Sequence, residues 1–255
     1  MGLLDKKKVV VLGLLDKWSI AHAIGQAAAR EGAEVFYSTL NRRVTSSLIA
    51  SGMNDLNILE CDVQDNEQIS RLFKEIGPLD GLVYSVAYAN RKTCLGEGPL
   101  WSAPREDVIK AISISALSFA YVAGEAAKRM NGGSMLALTF ESQLVMPRYK
   151  WMGVAKNALE GITRDLALEL GDDGIRVNAL SSGPLKTTAA MSIPGNELIG
   201  EVWNSRSALP WNPETMHDNV ANSAIYLLSH LSEGVTGTVH HVDGGFHIAA
   251  AKEPK

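Results

Sequence analysis

Tyr149 and Lys156 are the residues whose types and spacing most directly suggest chemistry. They lie seven positions apart in a stretch with helical patterning, about two turns, so both side chains share one helix face. A phenol beside an ammonium has its ionised form favoured, which predicts a Tyr149 pKa below the usual value of about 10. Such a tyrosine donates a hydrogen bond or a proton to a forming oxyanion, while the lysine holds a ribose diol. The same spacing also suits a half-buried tyrosine and a solvated lysine that never interact. A second candidate is the turn from Gly13 to Ser19-Ile20-Ala21. It lacks the two further glycines of a dinucleotide fingerprint, and Gly13 alone fits an ordinary tight turn equally well. The amides at a helix N-terminus nevertheless attract pyrophosphate. Ser19 adds a hydroxyl donor there and is placed to cap the helix, and Ala21 is small enough for close approach.

These groups need a scaffold, and the chain supplies alternating short apolar runs and helical stretches. Val9–Leu12 is continuously apolar, as in a parallel strand covered on both faces. Further strands are expected over 34–38, 56–60, 82–86, 134–138, 175–180 and 238–242. Helices are expected from Ser19 onward, then near 42–51, 65–76, 105–130, 150–170 and 214–229. Residues 184–212 hold three prolines and read as an excursion from the sheet. The pattern predicts an α/β fold: a single doubly wound Rossmann-type domain over 1–255, with a seven-stranded parallel sheet and helices on both faces. Ligands of such sheets sit outside the carboxyl ends of the strands, near the topological switch point. The residues that matter should therefore follow strands one, four, five and six.

Composition narrows the function classes. Of 255 residues 46% are apolar and 20% charged, enough for a sizeable core. A net charge of −4 argues against nucleic acid as the main partner. Cys61 and Cys94 are too few for a disulfide framework and lack metal-ligand spacing, which points to a reducing cytoplasm. Lys6-Lys7-Lys8 before Val9 resembles the start of a leader, but Asp16 and Lys17 break the apolar run, and no leader is expected. No window approaches the roughly 18 uninterrupted apolar residues of a membrane span. The six histidines are scattered, and His240 and His241 would fall on opposite faces of a strand, so no metal is expected.

Several motifs together resemble the short-chain dehydrogenase/reductase superfamily, specifically the enoyl-acyl-carrier-protein reductases of bacterial fatty acid synthesis. They are Gly13…Ser19-Ile20-Ala21, Cys61-Asp62-Val63, and Tyr149…Lys156 with a spacing wider than in classical superfamily members. Ser182-Gly183-Pro184-Leu185-Lys186-Thr187 and His241-Val242-Asp243-Gly244-Gly245-Phe246 complete the set. The resemblance runs from about residue 2 to 251. It implies that Gly13, Ser19 and Ile20 line a pyrophosphate, Asp62 and Val63 flank an adenine, and Ser85 lies under the cofactor. Lys156 would bind the nicotinamide ribose, Leu185 and Thr187 would meet the carboxamide, and Tyr149 would face a thioester carbonyl. From the residues alone, Asp62 could be a turn residue, Thr187 a helix cap and Leu185 plain core. The implied reaction is reduction of a trans-2-enoyl thioester by NADH or NADPH. A homotetramer is also implied, with the helices near 105–130 and 150–170 packing across subunits.

The sequence departs from the family pattern in places. Phe140 stands where many relatives carry a second tyrosine; without a donor it could only shape the pocket, or equally be a buried aromatic with no role. Tyr88, Met152, Ile193 and Trp203 would complete an apolar acyl pocket, or equally a packed lid. Relatives that dock acidic acyl carrier protein present basic residues beside the portal. Here Pro194 to Glu201 contains none, Trp211 and Asn212 replace an arginine pair, and Arg206 is the nearby cation. The substrate is therefore a carrier-protein thioester docked differently, or a thioester of coenzyme A. No acid ends the second strand to meet an NAD ribose, and Arg42 and Arg43 could meet a 2′-phosphate or be plain surface residues. A carbonyl or alcohol reductase on the same scaffold is the alternative activity. A cofactor-binding regulator without turnover would require loss of Tyr149 or Lys156, and both are present.

Overall fold

A computed structural model describes residues 2–251. Seven strands, β1 (Lys8–Leu12), β2 (Glu34–Thr39), β3 (Asn57–Glu60), β4 (Gly81–Tyr84), β5 (Gly133–Thr139), β6 (Ile175–Ser182) and β7 (Val239–Val242), form one sheet. All neighbouring pairs are parallel, in the order β3-β2-β1-β4-β5-β6-β7, so the order reverses between β1 and β4. This is the doubly wound arrangement expected from the alternation of patterns.

The continuous apolar runs are explained by burial on both faces. Val9 and Val11 join one core cluster with Ala21, Ile24 and Ala28 of α1 (Ile20–Arg30) and Val220, Ala221 and Ala224 of α9 (His217–Leu228). Val10 and Leu12 point the other way, into a cluster with Ile69, Leu72 and Phe73 of α3 (Asn66–Ile76) and Phe119 and Val122 of α5 (Ser118–Ala127). The remaining helices are α2 (Arg42–Ala50), α4 (Arg105–Ile112), α6 (Lys150–Glu169), α7 (Thr188–Met191) and α8 (Asn196–Arg206). The last two form most of the excursion after β6.

Two of the differences from the expected element boundaries shape the site. β4 ends at Tyr84, so Ser85 and Val86 begin the loop beyond it. The long helix expected over 105–130 ends at Ala127 and is interrupted by a π-helical turn at Ser113–Leu117. Such turns displace one residue and gather at functional sites. Here the turn frees the Ile114 carbonyl to accept from the Tyr84 hydroxyl at 2.6 Å. It also aims Ser115 at the loop after β4, where its Oγ accepts from Tyr88 N at 2.9 Å and donates to Tyr88 O at 3.0 Å. By length and composition the stretch Arg105–Ala127 would pass for a membrane span. It packs instead on the sheet through Phe119, Val122, Ala123 and Ala126, all fully buried, as a core helix.

Candidate active site

A cavity of about 650 Å³ runs along the carboxyl ends of the strands, within the roughly 300–1,000 Å³ usual for small-molecule sites. It is lined by residues that follow β1, β2, β3, β4, β5 and β6, and it includes the switch point between β1 and β4. Tyr149 and Lys156 both line it. So do Gly13, Ser19, Ile20, Asp62, Val63, Ser85, Leu185 and Thr187, together with Tyr88, Phe140, Met152 and Ile193.

The turn after β1 is built for close approach. Gly13 has φ +93°, and a Cβ there would lie 2.4 Å from the Ser85 carbonyl oxygen. A side chain would therefore be both strained and blocked at the point where a pyrophosphate would approach the backbone. Ser19 caps α1: its Oγ accepts from His22 N at 3.3 Å and donates to the Asp16 carbonyl at 2.7 Å. The hydroxyl proton is thus engaged, and the first-turn amides of α1, which have no partner within the helix, are the donors at this end. These features fit a dinucleotide. Gly13→Ala should cost about 1–3 kcal/mol in backbone strain alone, seen as a melting temperature lowered by several degrees and a weaker dinucleotide Kd by titration.

Tyr149 immediately precedes α6, between Arg148 (φ +66°) and Lys150 (φ +41°). Two successive departures into the left-handed region cost on the order of 1–3 kcal/mol each and persist only where surroundings enforce them. The segment 96–98 does so. Gly96 N donates to Arg148 O at 2.9 Å, Arg148 pairs with Glu97 at 2.8 Å, and Lys150 Nζ donates to the Gly98 carbonyl. The Tyr149 ring packs against Phe140 at 4.9 Å between centroids. Contrary to the expectation from its lysine neighbour, the phenol pKa is raised. Burial disfavours the phenolate, and no nearby charge offsets it. Tyr149 is thus held as a protonated donor.

Lys156 is buried, with Nζ donating to the Leu138 carbonyl at 2.7 Å. Burial brings its pKa down to about 8, and Glu160, one turn further along α6, opposes the fall. Glu160 is itself buried and accepts from Thr139 Oγ1 and Ser142 Oγ, each at 2.7 Å. The ammonium form persists below pH of about 8 and is lost above it. Dinucleotide affinity should therefore weaken by up to about tenfold between pH 7 and 9; a Kd constant across that range would contradict the role given to this charge.

Other predicted residues have double duties or different places. Asp62 Oδ1 accepts from Gln64 N at 3.0 Å, a turn role, while the residue still lines the cavity. Thr187 Oγ1 accepts from Ala190 N at 3.0 Å and caps α7, also at the cavity wall. Trp203 is a correction: it is not part of the lining but stands behind Phe140, stacked at 5.4 Å, and also stacks on Phe246 at 3.9 Å. Its Nε1 donates to the Asp243 carbonyl at 3.0 Å, so it supports the pocket without facing it. Arg206 is likewise not a portal cation. Its Nε donates to the Ala249 carbonyl at 2.9 Å, and its guanidinium lies 4.5 Å over Phe246. Trp211 donates to the Pro184 carbonyl at 2.7 Å and packs on Gly183.

Arg42 and Arg43 are exposed and outside the lining, whereas Thr39, Leu40 and Val44 are within it. The sequence reading also missed Arg91, Lys110 and Ile114. Position just past β4 marked Arg91, but nothing in the pattern brought Lys110 and Ile114 of the following helix to the same wall. His241, Asp243 and His247 bring ligand atoms within 4.8 Å of one another outside the cavity. His240 and His241 are adjacent in sequence, whereas His247 joins His241 only through the turn after β7. The rings of His241 and His247 are stacked at 3.9 Å and 13°, and His247 Nδ1 lies 2.7 Å from Asp243 Oδ2.

Fold and site together define a dinucleotide-binding enzyme of the short-chain dehydrogenase/reductase type. The chain matches the family described as Enoyl-(Acyl carrier protein) reductase over residues 13–247. It is 40% identical to enoyl-[acyl-carrier-protein] reductase [NADH] 1 of Rhizobium meliloti, covering 98% of this chain and 94% of the relative. It is 36% identical to the [NADH] enzyme of Mycolicibacterium smegmatis (96% and 97% covered) and 35% identical to that of Escherichia coli (99% and 98%). The chain belongs to the enoyl-(acyl carrier protein) reductase family.

Proposed function

We infer that this enzyme reduces the trans-2 double bond of an enoyl-acyl-carrier-protein thioester, the last reductive step of fatty acid elongation. The carrying observation is that Tyr149 and Lys156 line one cavity at the switch point of the sheet. A bound nicotinamide supplies the hydride that reaches the β-carbon of the substrate. Tyr149, held protonated by burial, donates to the thioester oxygen as it becomes an enolate. Lys156, an ammonium at neutral pH, binds the nicotinamide ribose diol and places positive charge beside the same oxygen. Gly13, Ser19 and Ile20 take the pyrophosphate, and Asp62 and Val63 the adenine. Ser85 would lie beneath the cofactor, and Leu185 and Thr187 would hold its carboxamide.

Tyr88, Phe140, Met152 and Ile193 form the acyl pocket, with residues 184–212 as its substrate-binding excursion. We assign NADH as the reductant. The relatives named above are NADH enzymes, and Arg42 and Arg43 are exposed and do not line the cavity. The reading also includes a cytoplasmic homotetramer. Leu117, Tyr121, Val154 and Leu168 are exposed apolar residues on the helices that would pack across subunits. The test is loss of nicotinamide absorbance with enoyl thioesters of several lengths, with NADH and NADPH compared. Reduction of ketones with no activity on enoyl thioesters would replace this reading by the carbonyl-reductase one.

A further inference from the structure

The mouth of the cavity is electrostatically lopsided. On the excursion side α8 carries Glu197 and Glu201 and no cation before Arg206, which is tied to Ala249 and Phe246. Outside the excursion two exposed cations, Arg91 and Lys110, line the cavity together with Tyr88. Lys110 Nζ stands 5.3 Å from the centre of the Tyr88 ring. Among the described residues neither cation has a carboxylate partner. The acid nearest Lys110 in sequence, Asp107, is committed elsewhere: its Oδ2 accepts from Asn90 Nδ2 at 2.9 Å and from Thr93 Oγ1 at 2.7 Å. Arg148 is spent on Glu97. Two unpaired cations at the rim of a pocket are a site for an anion.

Their place in the fold indicates which anion. The loop carrying Arg91 is bound to the substrate half of the cavity. Trp151 N donates to Cys94 O at 3.3 Å, Gly96 N donates to Arg148 O beside Tyr149, and Gly96 abuts Pro194 of the excursion. The opposite end of the cavity has its own anion-binding feature, the N-terminus of α1. An acyl thioester of this reaction class ends in a pantetheine arm that bears a phosphate, whether esterified to a carrier protein or continued into coenzyme A.

We propose that Arg91 and Lys110 form the phosphate subsite of the pantetheine arm, doing from the loop after β4 and from α4 the work that the cation-free excursion does not do. This rests on the enoyl-thioester reading above. It also accounts for an enzyme of this family with no basic residue between Pro194 and Glu201.

The test uses Arg91→Ala, Lys110→Ala and the double variant of the full chain, assayed with three crotonyl thioesters: carrier protein, coenzyme A, and phosphate-free pantetheine. The double variant should lower the kcat/KM ratio of the phosphate-bearing to the phosphate-free substrate at least tenfold, through KM. Binding of coenzyme A to the wild type and variants, followed by calorimetry, should weaken by a similar factor and be lost with rising salt. A loss confined to the carrier-protein arm would identify the carrier as the source of the phosphate; an equal loss in both arms would make the subsite blind to what lies beyond it. Unchanged ratios and unchanged coenzyme A binding would overturn the proposal, as would an NADH Kd that weakens in their place. If the wild type reduces none of the three thioesters, it is the enoyl-reductase reading that fails.

Discussion

Tyr149→Phe should lower turnover by about 10²–10³, the usual effect of removing one donor to a developing oxyanion, while the NADH Kd stays within about twofold. The substitution keeps the ring and its packing on Phe140, and Tyr149 is nearly buried, so the lost hydroxyl is not replaced by bulk water. Phe140 has no donor to substitute for it. The loss should fall on kcat, because the interaction strengthens only as charge reaches the thioester oxygen. Circular dichroism and melting temperature, read alongside the kinetics, separate this from misfolding. Turnover within threefold of the wild type would remove Tyr149 from the reaction.

Lys156→Ala should abolish measurable NADH binding or weaken it by on the order of 10²-fold, since a charge-assisted hydrogen bond contributes about 1.5–3 kcal/mol. Glu160 makes this substitution more than a local deletion. Its carboxylate is buried and held by two hydroxyls, and Lys156 is the cation that acts with it across the helix turn. Removing Lys156 leaves that charge without its cation, which destabilises a folded chain. Lys156→Met, which fills the space of the aliphatic stem, distinguishes the two effects. It should recover melting temperature without recovering NADH affinity, and recovered affinity would contradict the assigned role.

Much of the scaffold was legible because parallel strands buried on both faces leave continuous apolar runs. Val9–Leu12, with alternate residues in two different cores, is the clearest example. The cavity residues that follow strand ends were found for the same reason, since topology alone directs them to one side of the sheet. What failed was set by tertiary context. No local pattern marks the π-helical turn at Ser113–Leu117, which depends on Tyr84 and Ser115 meeting partners far away in sequence. Trp203 reads as an acyl-pocket residue by its position in the excursion, yet α8 turns it inward onto Phe246. The Tyr149 ionisation was misjudged because helical spacing says how two side chains align and nothing about how dry their surroundings are. Arg91 and Lys110 are hard to read from sequence because they come from two separate segments, the loop after β4 and α4, that only the fold brings to one cavity.

Hydride delivery to a conjugated carbon, with Tyr149 and Lys156 stabilising the oxygen beyond it, is the central step of the proposed reaction. The most direct measurement is mass spectrometry of the product formed from a crotonyl thioester and NADH deuterated at its transferable position. One deuterium is expected on the β-carbon of a saturated thioester, formed by the wild type and nearly absent with Tyr149→Phe. Deuterium on a carbinol carbon, or an enoyl thioester returned unchanged while NADH is consumed on ketones, would contradict it.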